Sequence, residues 1–451
     1  MIKSEITLIF DHGLTLRSYI ESGALRELQL RATLSLVILD RKISSEYLYA
    51  MNSQGIWPLQ LQSRKLIRYL LLLHSLNYWV RRQHLSKGFA SRLRSMRQGR
   101  REFYDKKDLY PVSIFKIFKR RIDFILAGLI RRGLPKSLLL LMGRTTFSKI
   151  KEADYFYFIT VGGAESYGDV LCVYLKAKYP ESRFFYVAEN WDNLETKAVI
   201  WRKPDAIGAW AELDFEVMSK IHKVNVDRIR IVGSPRQAYV ASLVGNARRK
   251  KASHQSSEVI LYACGGSNFD AELKRFKKIE SIIAPIVGST IVFLPHPRSY
   301  RDYVIYRNEN TTVNLLQRDL DYKIFTCYEE GRLLSLRYLA NLLAKSSLVL
   351  SSLSTMALES TTLGIKTIVI DIAEPIGDET VWATDYFNYI SVLKKLKGVW
   401  ILRDILNLKS ILDLNFTNSD SSEKNSHEQN VSDLSTSFID RLLALRELSG
   451  N

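Results

Sequence analysis

The chain has 451 residues, enough for two or three domains with substantial cores. Its formal net charge of +18 implies an anionic partner of some kind: nucleotide, acidic glycan, anionic lipid or nucleic acid. Cys172, Cys264 and Cys327 have no metal-ligand spacing and form no disulfide framework, as expected of a reduced cytoplasmic protein, and Lys3 and Glu5 interrupt any signal-peptide core.

Residues 6–10 predict a first strand, followed by Asp11-His12-Gly13, a helix to about residue 30 and a second strand, 35–40. This opens an α/β domain without the G-x-G-x-x-G fingerprint of dinucleotide binders. A helical, basic stretch follows within an insertion of about 50–150. Residues 64–107 hold thirteen Lys and Arg side chains against Glu102 and Asp105, so more than half of the net charge lies there. The run Leu66–Val80 contains Arg68, His74 and Asn77 and is too short to span a bilayer. Trp57, Tyr78 and Trp79 interleave with the charges, which predicts attraction to anionic headgroups; a plain solvated face is the competing reading. Nucleic acid is not expected, because no base-stacking sheet face or reading helix is evident.

Alternation resumes with a strand at Tyr155, Gly162-Gly163, a helix over about 166–178 and a strand over 183–189. Strands at 206–211 and 228–232 flank a helix over 213–223. The first domain is predicted to close at 245, and the polar run 246–257 reads as the interdomain linker. A second α/β domain, 258–414, restarts with the strand Glu258–Ala263 and the loop Cys264-Gly265-Gly266-Ser267-Asn268. Residues 415–436, poor in apolar side chains, read as disordered, and an amphipathic helix over 437–451 ends the chain.

Two motifs in the second domain carry chemistry. The strand beginning at Thr290 ends in His296-Pro297-Arg298; such strand ends meet ligands in open parallel sheets, and both His296 and Arg298 can donate to phosphate oxygens. The segment Ser347–Asp371 reads as strand, hydroxyl-rich turn, helix of about three turns, glycine stop and strand. Ser354 or Thr355 then sits at a helix N-terminus, which favours phosphate, and Glu359 lies about one turn deeper, where a carboxylate can accept from a ribose. The competing reading makes the Ser and Thr ordinary caps and Glu359 a solvated side chain.

Ala188-Glu189-Asn190-Trp191-Asp192-Asn193-Leu194-Glu195-Thr196-Lys197, then Trp201 to Pro204-Asp205, then Ile231-Val232-Gly233-Ser234-Pro235-Arg236, resembles bacterial surface-polysaccharide (capsule or lipopolysaccharide) glycosyltransferases. His296-Pro297 and Ser354-Thr355 are similar to the HP and S-S/T motifs of bacterial sialyltransferases and of CDP-glycerol glycerophosphotransferases. The D/E-D/E-G motif that sialyltransferases carry in the first domain is absent there; Glu329-Glu330-Gly331 has the letters in the wrong domain. The resemblance covers about residues 150–375 well and 1–45 loosely. It implies the GT-B fold: two Rossmann-like domains facing across a cleft, the acceptor on the first and a nucleotide sugar on the second. Donor-nucleotide contacts are then expected from His296, Arg298, Gly265, Gly266, Ser267, Ser352, Ser354, Thr355 and Glu359, with a glycan or lipid-linked acceptor.

The GT-B resemblance implies that helix N-termini and basic side chains stabilise the departing phosphate, so no metal or cofactor is expected, and Asp319-Leu320-Asp321, although a D-x-D pattern, reads as a loop flank. A base for the acceptor hydroxyl is sought at strand ends of the first domain: Asp192, His12 or Glu165. Cytoplasmic placement, with attachment at the inner face of the membrane, is the expectation. A non-hydrolysing nucleotide-sugar epimerase, a glycerophosphotransferase and a non-catalytic nucleotide- or glycan-binding subunit of a membrane complex stay open as alternatives.

Overall fold

The computed structural model describes residues 3–11, 13–39, 45–53, 55–61, 78–93, 147–160, 168–189, 193–196, 200, 204–251, 259–265, 269–285, 290–296, 325–328, 331–333, 335–371, 373–376, 379–416 and 431–449. Two parallel sheets organise them. The first holds β1 (Glu5–Phe10), β2 (Thr33–Ile38), β3 (Leu59–Gln60), β4 (Tyr155–Thr160), β5 (Arg183–Ala188), β6 (Ala206–Ala209) and β7 (Ile229–Ile231), in the order β3-β2-β1-β4-β5-β6-β7. The second holds β8 (Val259–Ala263), β9 (Thr290–Leu294), β12 (Ser346–Ser352), β13 (Lys366–Ile370) and β16 (Val399–Leu402), in the order β16-β13-β12-β8-β9. Two antiparallel ribbons complete the set, β10 (Phe325–Tyr328) with β11 (Gly331–Leu333), and β14 (Ala373–Ile376) with β15 (Glu379–Trp382). The two-domain α/β architecture expected from the sequence is the one observed.

The strands are near-continuous apolar runs because helices cover both faces of a parallel sheet. Leu8, Phe10, Tyr157 and Phe185 line one face of the first sheet, and Phe156, Phe158 and Phe184 the other. Ile260, Tyr262, Phe293, Leu350 and Ile370 likewise oppose Leu261, Val292 and Val349 across the second.

The junction between the domains differs from the sequence reading. Gly233, at φ +83°, turns the chain after β7, and Pro235 starts a helix, Pro235–Lys251, where its fixed φ suits the first helical position. Val240, Val244 and their neighbours Tyr239 and Leu243 belong to the second domain's core. The structural boundary therefore lies near Gly233, and residues 246–251 of the expected linker are helical. That end looks like a loop for want of apolar residues, yet its Ala, Arg and Lys side chains are good helix formers.

The chain finally crosses back. The terminal helix Val431–Leu443 begins six residues before the composition predicts, and with the turn Ala444–Ser449 it buries Phe438, Ile439, Leu442 and Leu445 in the first domain's core. Each such side chain contributes about 1.5–3 kcal/mol when fully buried. Arg446 stacks over the Tyr155 ring at 4.6 Å, Arg441 donates to the Val232 carbonyl at 3.2 Å, and Asp440 pairs with Arg31.

Part of the basic insertion is anchored rather than free. Trp79 and Phe89 are fully buried, Tyr78 stacks on His222 and bonds its Nδ1 at 2.6 Å, and the Ser86 hydroxyl donates to buried Glu195 at 3.1 Å. Burial pushes His222 down to about 4, so its ring is neutral at pH 7. Trp79 and Tyr78 thus serve the core rather than a surface, whereas Trp57 and neighbouring Tyr49 are exposed. No helix among the described residues is long and apolar enough to cross a membrane.

Candidate active site

In an open parallel sheet, ligands bind beyond the carboxyl ends of the strands where the strand order reverses. In the second sheet that point lies between β8 and β12. The chain leaves β8 through Cys264-Gly265 and leaves β12 through Ser352 to the helix Thr355–Thr362. A Cβ on Gly265 would stand 3.0 Å from the Ser352 Cβ and 3.2 Å from Glu272 Oε1, so the strand ends approach closely enough that a side chain there would make its neighbours shift by a few tenths of an ångström.

Ser354 is the N-cap of that helix. Its Oγ accepts from the Met356 N–H at 3.2 Å and lies 2.9 Å from Ser351 Oγ. The positive end of the helix dipole therefore opens on the rim, with Thr355 as the first helical residue. His296, half-buried beyond β9, tops the neighbouring strand, and its backbone N–H bonds the Cys264 thiol. Burial also pushes that thiol well above its ordinary value, so it stays protonated.

Beneath the rim sits a carboxylate that the sequence reading did not single out. Glu272 accepts from Tyr262 Oη at 2.9 Å, Ser352 Oγ at 3.1 Å and Arg275 Nη1 at 3.0 Å. The Ser352 hydroxyl is thus engaged by Glu272 beneath the rim. Glu272 reads as a solvated residue in the polar run Asp270–Lys278; its burial follows from tertiary packing alone.

Glu359 is buried, not solvated. Arg236, from the first turn of the helix Pro235–Lys251, donates from Nη2 to its Oε2 at 3.0 Å and holds Nε 2.6 Å from its Oε1. Two contacts nearby join the domains. Trp210, after β6, packs with Ala357, Ala383, Ile390 and Leu393, and Glu21 accepts at 2.5 Å from the N–H of Leu336, which starts the helix Leu336–Lys345.

The first sheet reverses between β1 and β4. Asp11, just past β1, spans the reversal by accepting from Thr160 Oγ1 at the end of β4. Glu189, just past β5, stands beside it, and its Oε1 is shut off from solvent with no hydrogen-bond partner among the described residues. Burial pushes the Glu189 carboxyl up to about 8; Tyr19 and the Arg236 guanidinium oppose that rise and Asp11 adds to it. Tyr19, fully buried, is driven well above its usual value by burial and by this carboxyl. The cluster joins Asp11, Tyr19, Glu189, Arg236 and Glu359 across the domain junction.

Of the expected site residues, Gly265, His296, Ser352, Ser354, Thr355 and Glu359 fall on the second sheet's rim. Arg298, Gly266 and Ser267 lie outside the described residues, as do the three expected bases, Asp192, His12 and Glu165, and the Asp319-Asp321 pair. Glu189 occupies the strand-end position those bases were sought for. A carboxylate directly after a buried strand was the available signal.

No family model matches the chain, and no curated protein matches it in sequence. Solved structures do match in shape. A UDP-N-acetylglucosamine 2-epimerase shares 11% identity, covers 99% of this chain and 97% of its own, and aligns with a TM-score of 0.51. A UDP-N-acetylglucosamine 2-epimerase from Listeria monocytogenes, described as putative, gives 12%, 99%, 96% and 0.49; a glycosyltransferase from Rickettsia africae gives 10%, 99%, 99% and 0.44. At such identities the first comparison establishes a shared fold over nearly the whole chain, and the other two add nothing to it.

Proposed function

We propose that the protein transfers a sugar or sugar-like unit from a nucleotide-activated donor to a cell-surface polysaccharide or lipid-linked glycan, without a metal. The observation that carries this reading is the pair of switch-point rims meeting at one junction: a capped helix N-terminus with Gly265 and His296 on the second sheet, and a carboxyl held near pH 8 on the first. The former suits a departing phosphate and the latter suits proton transfer to or from a sugar hydroxyl. Glu189 is the proton acceptor in this reading, with Asp11 beside it and Tyr19 above it. Arg298 and the 266–267 loop extend the donor contacts, and the exposed Trp57 with the charges of 64–107 draws the enzyme to an anionic bilayer holding the acceptor.

One observation favours a second reading, epimerisation of the nucleotide sugar. That chemistry needs several acidic groups converging on the sugar; Asp11 stands beside Glu189, and Arg236 links that pair to Glu359. One experiment separates the two. Purified protein is incubated with UDP-, CDP- and GDP-sugars in deuterated water, with and without a glycan acceptor. Acceptor-dependent nucleotide release without deuterium in the recovered donor supports transfer. Acceptor-independent deuterium uptake into the sugar ring replaces transfer with epimerisation.

A further inference from the structure

Arg236 occupies the first turn of a long helix, where the positive end of the dipole disfavours a cation. Its compensation comes from Glu359, on the helix that follows β12. Both contacts use Nε and Nη2, and Nη1 has no partner among the described residues. The Nη2 contact is a hydrogen bond, whereas the Nε to Oε1 approach of 2.6 Å lacks hydrogen-bond alignment, so one of the two contacts is charge without direction. Such a contact is readily exchanged for a better-directed one. The guanidinium also lies near the helix N-terminus at Ser354: Glu359 is four residues past Thr355, about 6 Å along the axis.

We infer that Arg236 and the donor ribose compete for Glu359, and that donor binding hands the Arg236 guanidinium from Glu359 to the donor phosphates. This rests on the nucleotide reading of the second sheet's rim. The ribose hydroxyls replace Arg236 on the carboxylate, and a planar, permanently charged fork is then available to oxygens held at the helix N-terminus. The exchange ties recognition of the sugar end of the nucleotide to neutralisation of its leaving group.

The test measures affinities of the parent protein, Arg236→Gln, Glu359→Gln and the double variant for UDP, CDP and GDP, the matching nucleosides, and inorganic pyrophosphate. Arg236→Gln is expected to weaken the preferred diphosphate at least about tenfold while its nucleoside binds as well or better, because the competitor for Glu359 is gone. Glu359→Gln is expected to tighten pyrophosphate, since Arg236 is released. The double variant keeps a neutral amide pair and strands no buried charge, so it reports the loss of phosphate affinity even if Arg236→Gln fails to fold. Equal loss for diphosphate and nucleoside, or no change in either, overturns the exchange and leaves a static ion pair. Failure of every nucleotide and nucleoside to bind the parent overturns the nucleotide reading and the exchange together.

Discussion

Two carboxylates, one under each switch point, are held very differently: Glu272 is buried, and Glu189 is half-buried with one oxygen enclosed. Glu272 is met by Tyr262, Ser352 and Arg275, and its negative charge is absorbed by a network that fixes the Gly265 turn. Glu189 has an oxygen enclosed without a donor and a neighbouring carboxylate, Asp11, and it holds its proton up to about pH 8. A satisfied buried carboxylate is scaffold; an unsatisfied one near neutrality is poised for proton transfer. On the proposed reading, the second domain holds an anion in place and the first exchanges a proton.

The sharpest break of that contrast is a pair of isosteric changes. Glu189→Gln should lower turnover by about 10²- to 10⁴-fold, the usual range for a general acid or base, with nucleotide affinity unchanged. In the parent, turnover should rise through about pH 8 as the carboxylate forms, and that limb should vanish in the variant. Glu272→Gln should instead weaken nucleotide binding and leave the limb in place. Reversed outcomes in steady-state pH profiles would exchange the two assignments.

Stability gives the same contrast in another quantity. Because the native carboxyl of Glu189 binds its proton more tightly than an unfolded one, its contribution is present below about pH 4.5 and is lost as pH rises to about 8. Burial likewise raises Asp214, which accepts from the Trp210 and Ala211 N–H groups, to about 7. Denaturant titrations should show stability falling between about pH 6.5 and 8, above the window in which the depressed His222 acts in the opposite sense, with a shallower fall in Glu189→Gln. A parallel profile would mean that Asp214 alone carries the slope.

On the other rim, Gly265→Ala brings a methyl group against the Ser352 Cβ and Glu272 Oε1. The expected cost is about 1–3 kcal/mol of stability, as for overpacking elsewhere, with a matching loss of nucleotide affinity because the turn must shift. Unaltered nucleotide binding in a folded variant would detach this loop from the donor site.

What could be read from the sequence divides along the same line. The second rim is local: strand, cap, helix and glycine stop follow one another within residues 347–371, and period and capping rules suffice. The proton-handling cluster is not. Arg236 and Glu359 are 123 positions apart, and Tyr19 and Glu189 come from different crossovers, so only the folded sheets bring them together. Glu272 was hidden for a related reason, since Lys and Arg neighbours on its helix give it the look of a surface residue. The terminal helix was legible as amphipathic from Leu442, Leu445 and Leu448, yet nothing local names the first domain's core as the surface it covers.

The smallest effect expected is at Ser354. Its hydroxyl caps the helix Thr355–Thr362 by accepting from Met356 N–H and contacts Ser351. Ser354→Ala should remove about 1 kcal/mol of stability, the usual cost of an N-cap, which for a chain this long is a fall of at most a few degrees in Tm. The helix N-terminus itself remains, so nucleotide should still stabilise the variant, but by less, since RT ln(1 + [L]/Kd) shrinks as Kd rises. Thermal denaturation with and without saturating UDP, CDP or GDP reads both quantities at once. A lower Tm with the nucleotide-induced shift intact would make Ser354 a cap and nothing more, and would place the phosphate on Thr355, His296 and the helix dipole instead.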